Sequence, residues 1–122
     1  MSRPRVFIVH EPMRRDPRSK EMVPAHDLRP ASQFGDLKFI LPGAVRPALD
    51  PESSLPAIRD AMSGFMEDDY LAMVGDMNLV IWAAALGLRA TGGTMKLLKW
   101  NNQDRCYVAT QARLWDDTMG NR

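Results

Sequence analysis

Residues 69–100, DYLAMVGDMNLVIWAAALGLRATGGTMKLLKW, contain the pattern that decides the fold. An apolar run, a Gly-Asp turn, a long apolar helix pattern, a Gly-Gly stop and a second apolar run follow one another. These features lie at residues 70–74, 75–76, 77–90, 92–93 and 95–100. The order predicts a βαβ unit with two parallel strands, because such strands need a crossover helix between them.

Further elements are predicted on both sides of this unit. Runs of β-branched and aromatic residues predict strands at residues 5–10, 36–41 and 105–110. The last of these would pair antiparallel with the strand at 95–100, across the polar loop 101–104. Right-handed crossovers then predict a parallel core formed by the second, third and fourth strands in sequence order.

A second helix is predicted to begin at Ser53 or Ser54. The preceding residues 50–52, Asp-Pro-Glu, offer a capping oxygen, a proline suited to the first turn and a carboxylate near the positive helix end. One apolar stripe follows at helical spacing, formed by Leu55, Ile58, Met62 and Phe65. The whole pattern predicts a small three-layer, Rossmann-like α/β domain of about five strands and two main helices, occupying residues 1–122.

Composition limits the class of protein. The chain has 122 residues, 45% of them hydrophobic and 25% charged, with a formal net charge of +1, which argues against a strongly basic nucleic-acid binder. The single cysteine, Cys106, excludes a disulfide framework and is expected to be buried as a small apolar residue. The most apolar stretch, residues 79–88, is too short to span a bilayer, so we expect no membrane association. The single cysteine is typical of a reduced, intracellular setting, and we expect a cytoplasmic location.

The segment of residues 11–35 shows no apolar periodicity and is punctuated by four prolines, which predicts a flexible loop without regular structure. Residues 14–20 of this segment are basic, and the candidate partner-binding residues are the cations there, Arg14, Arg15, Arg18 and Lys20. They could track phosphates, but no aromatic residues are interleaved for base stacking. A solvated, mobile arm is the other interpretation. Residues 50–69 hold six acids, so the opposed charges could pair within a subunit, between subunits or with a partner.

Two residues are candidates for chemistry. Asp76 follows a strand and precedes a helix, where a carboxylate can hold Mg²⁺ or a ribose hydroxyl, or can simply cap the helix. His10 ends the first strand and could act as a general base. The turn formed by Gly75 and Asp76 lacks the further glycines of a dinucleotide fingerprint and the lysine of a phosphate loop. The acids Asp68 and Asp69 are predicted to form a solvated turn. No motif indicates a bound metal or a cofactor.

The helix at residues 77–90 is apolar on nearly every side, so one face would remain exposed in a domain with few helices. We therefore predict a homo-oligomer that associates through this helix, with Leu79, Ile81 and Trp82 as the contact residues. Five methionines, at positions 62, 66, 73, 77 and 95, are expected to fill gaps in the core.

The runs DDYLAMVGD at 68–76 and GGTMKLLKWNNQDRCYVA at 92–109 resemble small proteins of tailed bacteriophages that carry no assigned activity. VFIVHEP at 6–12 and FGDLKFILP at 34–42 extend this resemblance. The resemblance implies a viral origin and an accessory role in an infected bacterial cell. It transfers no functional residue.

Three functional hypotheses follow. The first is a non-enzymatic accessory protein that self-associates and binds a host or phage macromolecule. The second is a nucleotide- or phosphate-binding domain, with metal-assisted hydrolysis at Asp76 and His10 as its chemistry. The third is a nucleic-acid-binding factor that uses the basic loop, which the near-neutral net charge disfavours.

Overall fold

A computed structural model describes residues 3–41 and 50–116. Its strands are β1 (Arg5–Ile8), β2 (Met13–Arg15), β3 (Met22–Pro24), β4 (Asp36–Phe39), β5 (Tyr70–Ala72), β6 (Thr94–Asn101) and β7 (Cys106–Arg113). Its helices are α1 (Leu55–Met62) and α2 (Met77–Thr91). Two 3-10 turns, Arg29–Gln33 and Pro51–Ser54, complete the elements of the described chain.

Five strands form one mixed sheet in the order β4-β1-β5-β6-β7. The first four are parallel, and β7 runs antiparallel to β6. This confirms the predicted α/β class, the parallel core and the antiparallel C-terminal pair. The parallel core is larger than predicted, because β1 belongs to it and lies between β4 and β5. The central position explains why Val6, Phe7 and Ile8 are completely buried.

Helix α2 begins where the sequence predicts and ends one residue later than predicted, at Thr91. Asp76 is its N-cap and accepts a hydrogen bond from the backbone N–H of Leu79, and Gly92 ends it in the left-handed conformation at φ 78°. Helix α1 also begins within one residue of the prediction, continuing directly from the 3-10 turn. The capping predicted for its start is wrong, because neither the Asp50 nor the Ser54 side chain donates or accepts a capping hydrogen bond.

Both helices pack on one face of the sheet. Phe7, Val9 and Leu71 of the strand layer meet Ile58 and Met62 of α1 there. The core on this face is completed by three buried residues of α2, Leu79, Val80 and Ala83. Phe7 and Phe65 form an edge-to-face contact with ring centroids 5.3 Å apart, a geometry favoured by the ring quadrupoles.

The opposite face is covered by the segment that precedes β4. Leu28 and Ala31, around the first 3-10 turn, pack against Val6, Ile8 and Leu98 of the sheet. The prediction that residues 11–35 lack regular structure is therefore wrong: the segment contains the β2–β3 hairpin and a 3-10 turn. The segment is anchored by only a few apolar residues, which are too few to give a periodic signal over its length.

Two of the five methionines lie where they were expected. Met62 and Met95 are buried, whereas Met66, Met73 and Met77 are exposed, so the core assignment of those three is wrong. Cys106, expected to be buried, is only half-buried. Within residues 3–41 and 50–116, no helix combines the length and apolarity needed to cross a membrane.

Candidate functional site

The carboxyl ends of β1 and β5 meet at the middle of one sheet edge. From β1 the chain continues to β4 on one side, whereas from β5 it continues through α2 to β6 on the other side. In open α/β sheets this change of direction opens a crevice where ligands bind. His10 and Gly75 are adjacent here, because a Cβ atom added to Gly75 would lie 3.0 Å from the His10 carbonyl oxygen. The structure therefore brings His10 beside the turn that carries Asp76.

Asp76 acts on its own helix. Its Oδ1 atom accepts the Leu79 backbone N–H at 3.4 Å, which satisfies one of the free donors at the first turn of α2. The side chain is only partly buried, so a second partner could reach it. In the part of the chain that the structure describes, no three His, Cys, Asp or Glu side chains are grouped as metal ligands.

His10 is buried rather than presented at a surface. The residue is 8% exposed, and its Nε2 atom lies inside the protein without a hydrogen-bond partner. A general base must come within hydrogen-bond reach of the proton that it takes. The enclosed imidazole does not offer that reach to a substrate in this conformation, so the geometry adds no support for His10 as a candidate general base.

The basic loop is an ordered hairpin, which we call the basic hairpin (residues 13–24). Asp16 holds its turn: the carboxylate accepts the Arg18 N–H at 3.0 Å and the Ser19 hydroxyl at 3.2 Å, and its carbonyl accepts the Lys20 N–H. The hydrogen bond from the Arg18 backbone, above all, lowers the pKa of Asp16. The four cations predicted to bind a partner are all exposed: Arg14, Arg15, Arg18 and Lys20.

At the opposite sheet edge, Arg5 and Asp69 form an interaction that the sequence analysis missed. Asp69 is 4% exposed, so the prediction that it lies in a solvated turn is wrong; its neighbour Asp68 is exposed, as predicted. The two oxygens of Asp69 bind the backbone and the guanidinium of Arg5 and the backbone N–H of Met66. The available signal was positional, since Arg5 opens β1 and Asp69 immediately precedes β5, the neighbouring strand.

Helix α2 exposes a narrower apolar surface than its composition indicates. Leu79 is fully buried in the core of its own chain and cannot contact another subunit through its side chain. Trp82 is partly buried, whereas Ile81 is 58% exposed. Met77, Ile81 and Ala85 are all exposed and follow one another at four-residue spacing, so they form one apolar stripe. We call this the α2 stripe.

A pocket of about 550 Å³ opens on the sheet face opposite the helices, near the carboxyl end of β5. Its walls come from the segment before the first 3-10 turn, from the end of β5 and from the β6–β7 hairpin. The lining side chains that can interact with a ligand are His26, Asp27, Met73, Trp100, Arg105 and Tyr107. This pocket is not evident from the sequence, because its residues are separated by up to about eighty positions and match no short motif.

Together, the mixed sheet, its parallel core and the two helices on one face define a small α/β protein. Residues 4–114 match the family described as Phage Pam3 gp32-like protein, and the chain belongs to this family. This confirms the resemblance to small bacteriophage proteins. No curated protein and no solved structure matches the chain.

Proposed function

We propose that the protein is a non-enzymatic phage accessory protein that acts in the cytoplasm of the infected bacterium. It binds an acidic protein partner through the basic hairpin and self-associates through the α2 stripe. The observation that carries the proposal is the set of four exposed cations on an ordered hairpin outside the main sheet. Membership in a phage protein family supports the accessory role.

The basic hairpin carries a net positive charge. Four cations stand against Asp16 and Glu21, which leaves a net charge of +2 on residues 13–24. Within residues 3–41 and 50–116, the recorded ion pairs involve none of these four cations. Because Asp16 orders the turn, the cations are presented on a structured surface, and binding loses less conformational entropy. Such a surface favours an acidic partner.

A protein partner fits this surface better than nucleic acid. The hairpin holds no aromatic side chain on which a base could stack, and the net charge of the whole chain is only +1. Nucleic-acid binding by a near-neutral domain would depend almost entirely on these few cations and would fall steeply with salt.

The self-association proposal is supported by the exposure pattern of α2. Met77 and Ile81 are 57% and 58% exposed, and Ala85 continues their line by one more turn of the helix. An exposed apolar line of this kind gains free energy when another helix covers it. The small Ala85 side chain lets a second helix approach closely.

Binding through the hairpin is tested with two probes, poly-L-glutamate for an acidic polypeptide and a 30-base-pair DNA duplex. In the Arg14→Ala/Arg18→Ala variant we expect the Kd for poly-L-glutamate to rise about tenfold or more, because two charge contacts are lost. Arg59→Ala/Arg89→Ala removes two exposed cations from the helices and should leave the Kd unchanged. Equal affinities of both variants would contradict the proposal. Tighter, steeply salt-dependent DNA binding would favour the nucleic-acid hypothesis instead.

Self-association is tested by sedimentation and light scattering at micromolar concentration. The wild-type chain should sediment as a dimer or larger species, and Ile81→Ser should shift it toward the 13.7 kDa monomer. Met66→Ser is the matched control, because Met66 is 65% exposed but lies outside α2. A monomeric wild type, or equal effects of the two substitutions, would refute the role of the stripe.

A further inference from the structure

The pocket beside β5 has a rigid aromatic wall. Trp100 and Tyr107 pack edge to face, with ring centroids 5.0 Å apart and planes at 68°. The indole N–H of Trp100 donates to Oδ1 of Asn102 at 3.0 Å, which fixes the orientation of the ring. A wall that is already ordered can contact a planar ligand without losing much side-chain entropy.

A second wall is bare backbone. Gly75 lines the pocket with φ 110°, a conformation that side-chain-bearing residues rarely adopt. Because this residue has no side chain, a ligand can approach the main chain at the carboxyl end of β5. The location is one that open α/β sheets use for ligands.

The rim carries a cation in a strained position. Arg105 lines the pocket, and its backbone lies in the left-handed region at φ 52°, where glycine or asparagine would be favoured. No recorded ion pair of the described chain involves its guanidinium. Strained residues cluster at ligand sites, and an unpaired arginine at a pocket rim suits an anionic group.

The remaining polar groups supply a hydrogen-bond acceptor and a donor. Asp27 is paired with Arg29 at 2.9 Å, and the hydrogen bonds from the side chain and backbone of Arg29 lower the pKa of its carboxyl. Asp27 is therefore ionised at neutral pH and accepts hydrogen bonds. Burial, together with the charge of Asp27, raises the pKa of Tyr107, so that its hydroxyl remains a donor.

From this combination we propose that the pocket binds a nucleoside monophosphate. The base lies against the Trp100 wall with its amino group toward Asp27, and the phosphate contacts Arg105. The volume of about 550 Å³ is within the range of small-molecule sites. This site is separate from Asp76 and His10, which do not line the pocket, and it goes beyond the function proposed above, since it requires neither the basic hairpin nor self-association.

The test is isothermal titration calorimetry of the full chain with AMP, GMP, CMP and UMP, and with adenosine and inorganic phosphate as partial probes. We expect at least one monophosphate to bind more tightly than either partial probe, because only the whole ligand contacts both the aromatic wall and Arg105. Arg105→Gly should weaken that binding about tenfold or more, while leaving adenosine binding unchanged and raising the Tm, since glycine relieves the left-handed strain. Gln103→Gly, in the same turn but outside the pocket, should bind as the wild type does.

Three outcomes would overturn the proposal. The first is the absence of binding by all four monophosphates at millimolar concentration. The second is an affinity for inorganic phosphate equal to that for the best monophosphate, which would show that the aromatic wall does not contribute to binding. The third is Arg105→Gly binding equal to that of Gln103→Gly. Because Arg105→Gly is expected to be the more stable protein, a loss of binding in this variant is not explained by unfolding.

Discussion

Replacing Asp69 with asparagine tests whether the buried carboxylate is essential to the fold. Oδ1 accepts the Arg5 backbone N–H at 2.9 Å and Arg5 Nε at 3.4 Å. Oδ2 accepts Arg5 Nη2 at 2.8 Å and the Met66 backbone N–H at 2.9 Å. All four partners are donors. An asparagine keeps one acceptor but turns an NH₂ group toward the donors of the other side, so two hydrogen bonds and the ion pair are lost.

The magnitude follows from burial. Breaking a buried, hydrogen-bonded ion pair costs about 3–5 kcal/mol of unfolding free energy. The Arg5 side chain is 32% exposed, so water can partly solvate its guanidinium once the carboxylate is replaced. The expected loss of unfolding free energy is therefore at the lower end of this range, about 3 kcal/mol. For a chain of 122 residues, an unfolding entropy of about 2.1 cal/mol/K per residue converts this value to a Tm lowered by about 12 °C.

The same carboxylate predicts a pH dependence. Burial acts to raise the pKa of Asp69, but the hydrogen bonds from Arg5 and Met66 outweigh it and hold the pKa below its ordinary value of 3.8. A depressed pKa in the folded state adds stability that is present above the unfolded pKa and is lost as the pH falls through the folded pKa. Wild-type stability should therefore fall below about pH 4, and Asp69→Asn should remove this part of the decline.

Urea and thermal unfolding followed by circular dichroism, at pH 7 and pH 3, measure both effects. Asp68→Asn is the matched control, because Asp68 is the adjacent acid and is exposed; its substitution should change the unfolding free energy by less than about 0.5 kcal/mol. Equal stabilities of the Asp69→Asn and Asp68→Asn variants at pH 7 would refute the reasoning.

Three further results are expected. Asp76→Asn should unfold like the wild type because asparagine caps a helix equally well, whereas Asp76→Ala should lose about 0.5–2 kcal/mol; a loss of ligand binding or activity in a fully stable Asp76→Asn would instead support a ligand role. Gly93→Ala should lower the unfolding free energy by at least about 1–2 kcal/mol, since φ is 119° and the new Cβ would contact the Trp115 carbonyl oxygen. Gly64→Ala should be nearly neutral, because the nearest atom to its new Cβ would lie 3.9 Å away. Trypsin should first cut within residues 11–35, because the cations of the basic hairpin are exposed. The expected cleavage sites follow Arg14, Arg15, Arg18 and Lys20. First cuts within residues 77–110 would contradict this prediction.

The elements of the βαβ unit could be predicted because their signals are local. Asp76 and Gly92 act on backbone groups within one helical turn of themselves, so the residues that start and stop α2 are readable from a short stretch of sequence. The β6–β7 hairpin could also be predicted from a local signal, since its polar loop lies in sequence between the two strands that it joins.

The order of the strands was decided by tertiary structure. The apolar pattern of residues 5–10 indicates a buried strand, but nothing in it states that β1 separates β4 from β5. That choice depends on which face each connection covers, and the face opposite the helices is covered by Leu28 and Ala31, from a segment with no periodic signal.

The same distinction between sequence and tertiary structure applies to the functional surfaces. The sequence by itself determined that the hairpin is basic and that α2 is apolar, because both properties are sums over neighbouring residues. Only the tertiary structure decided that Leu79 is buried while Ile81 is exposed, since the sheet covers one side of α2. It also brought Asp27, Gly75 and Arg105 to one pocket, a long-range arrangement that local propensity does not encode.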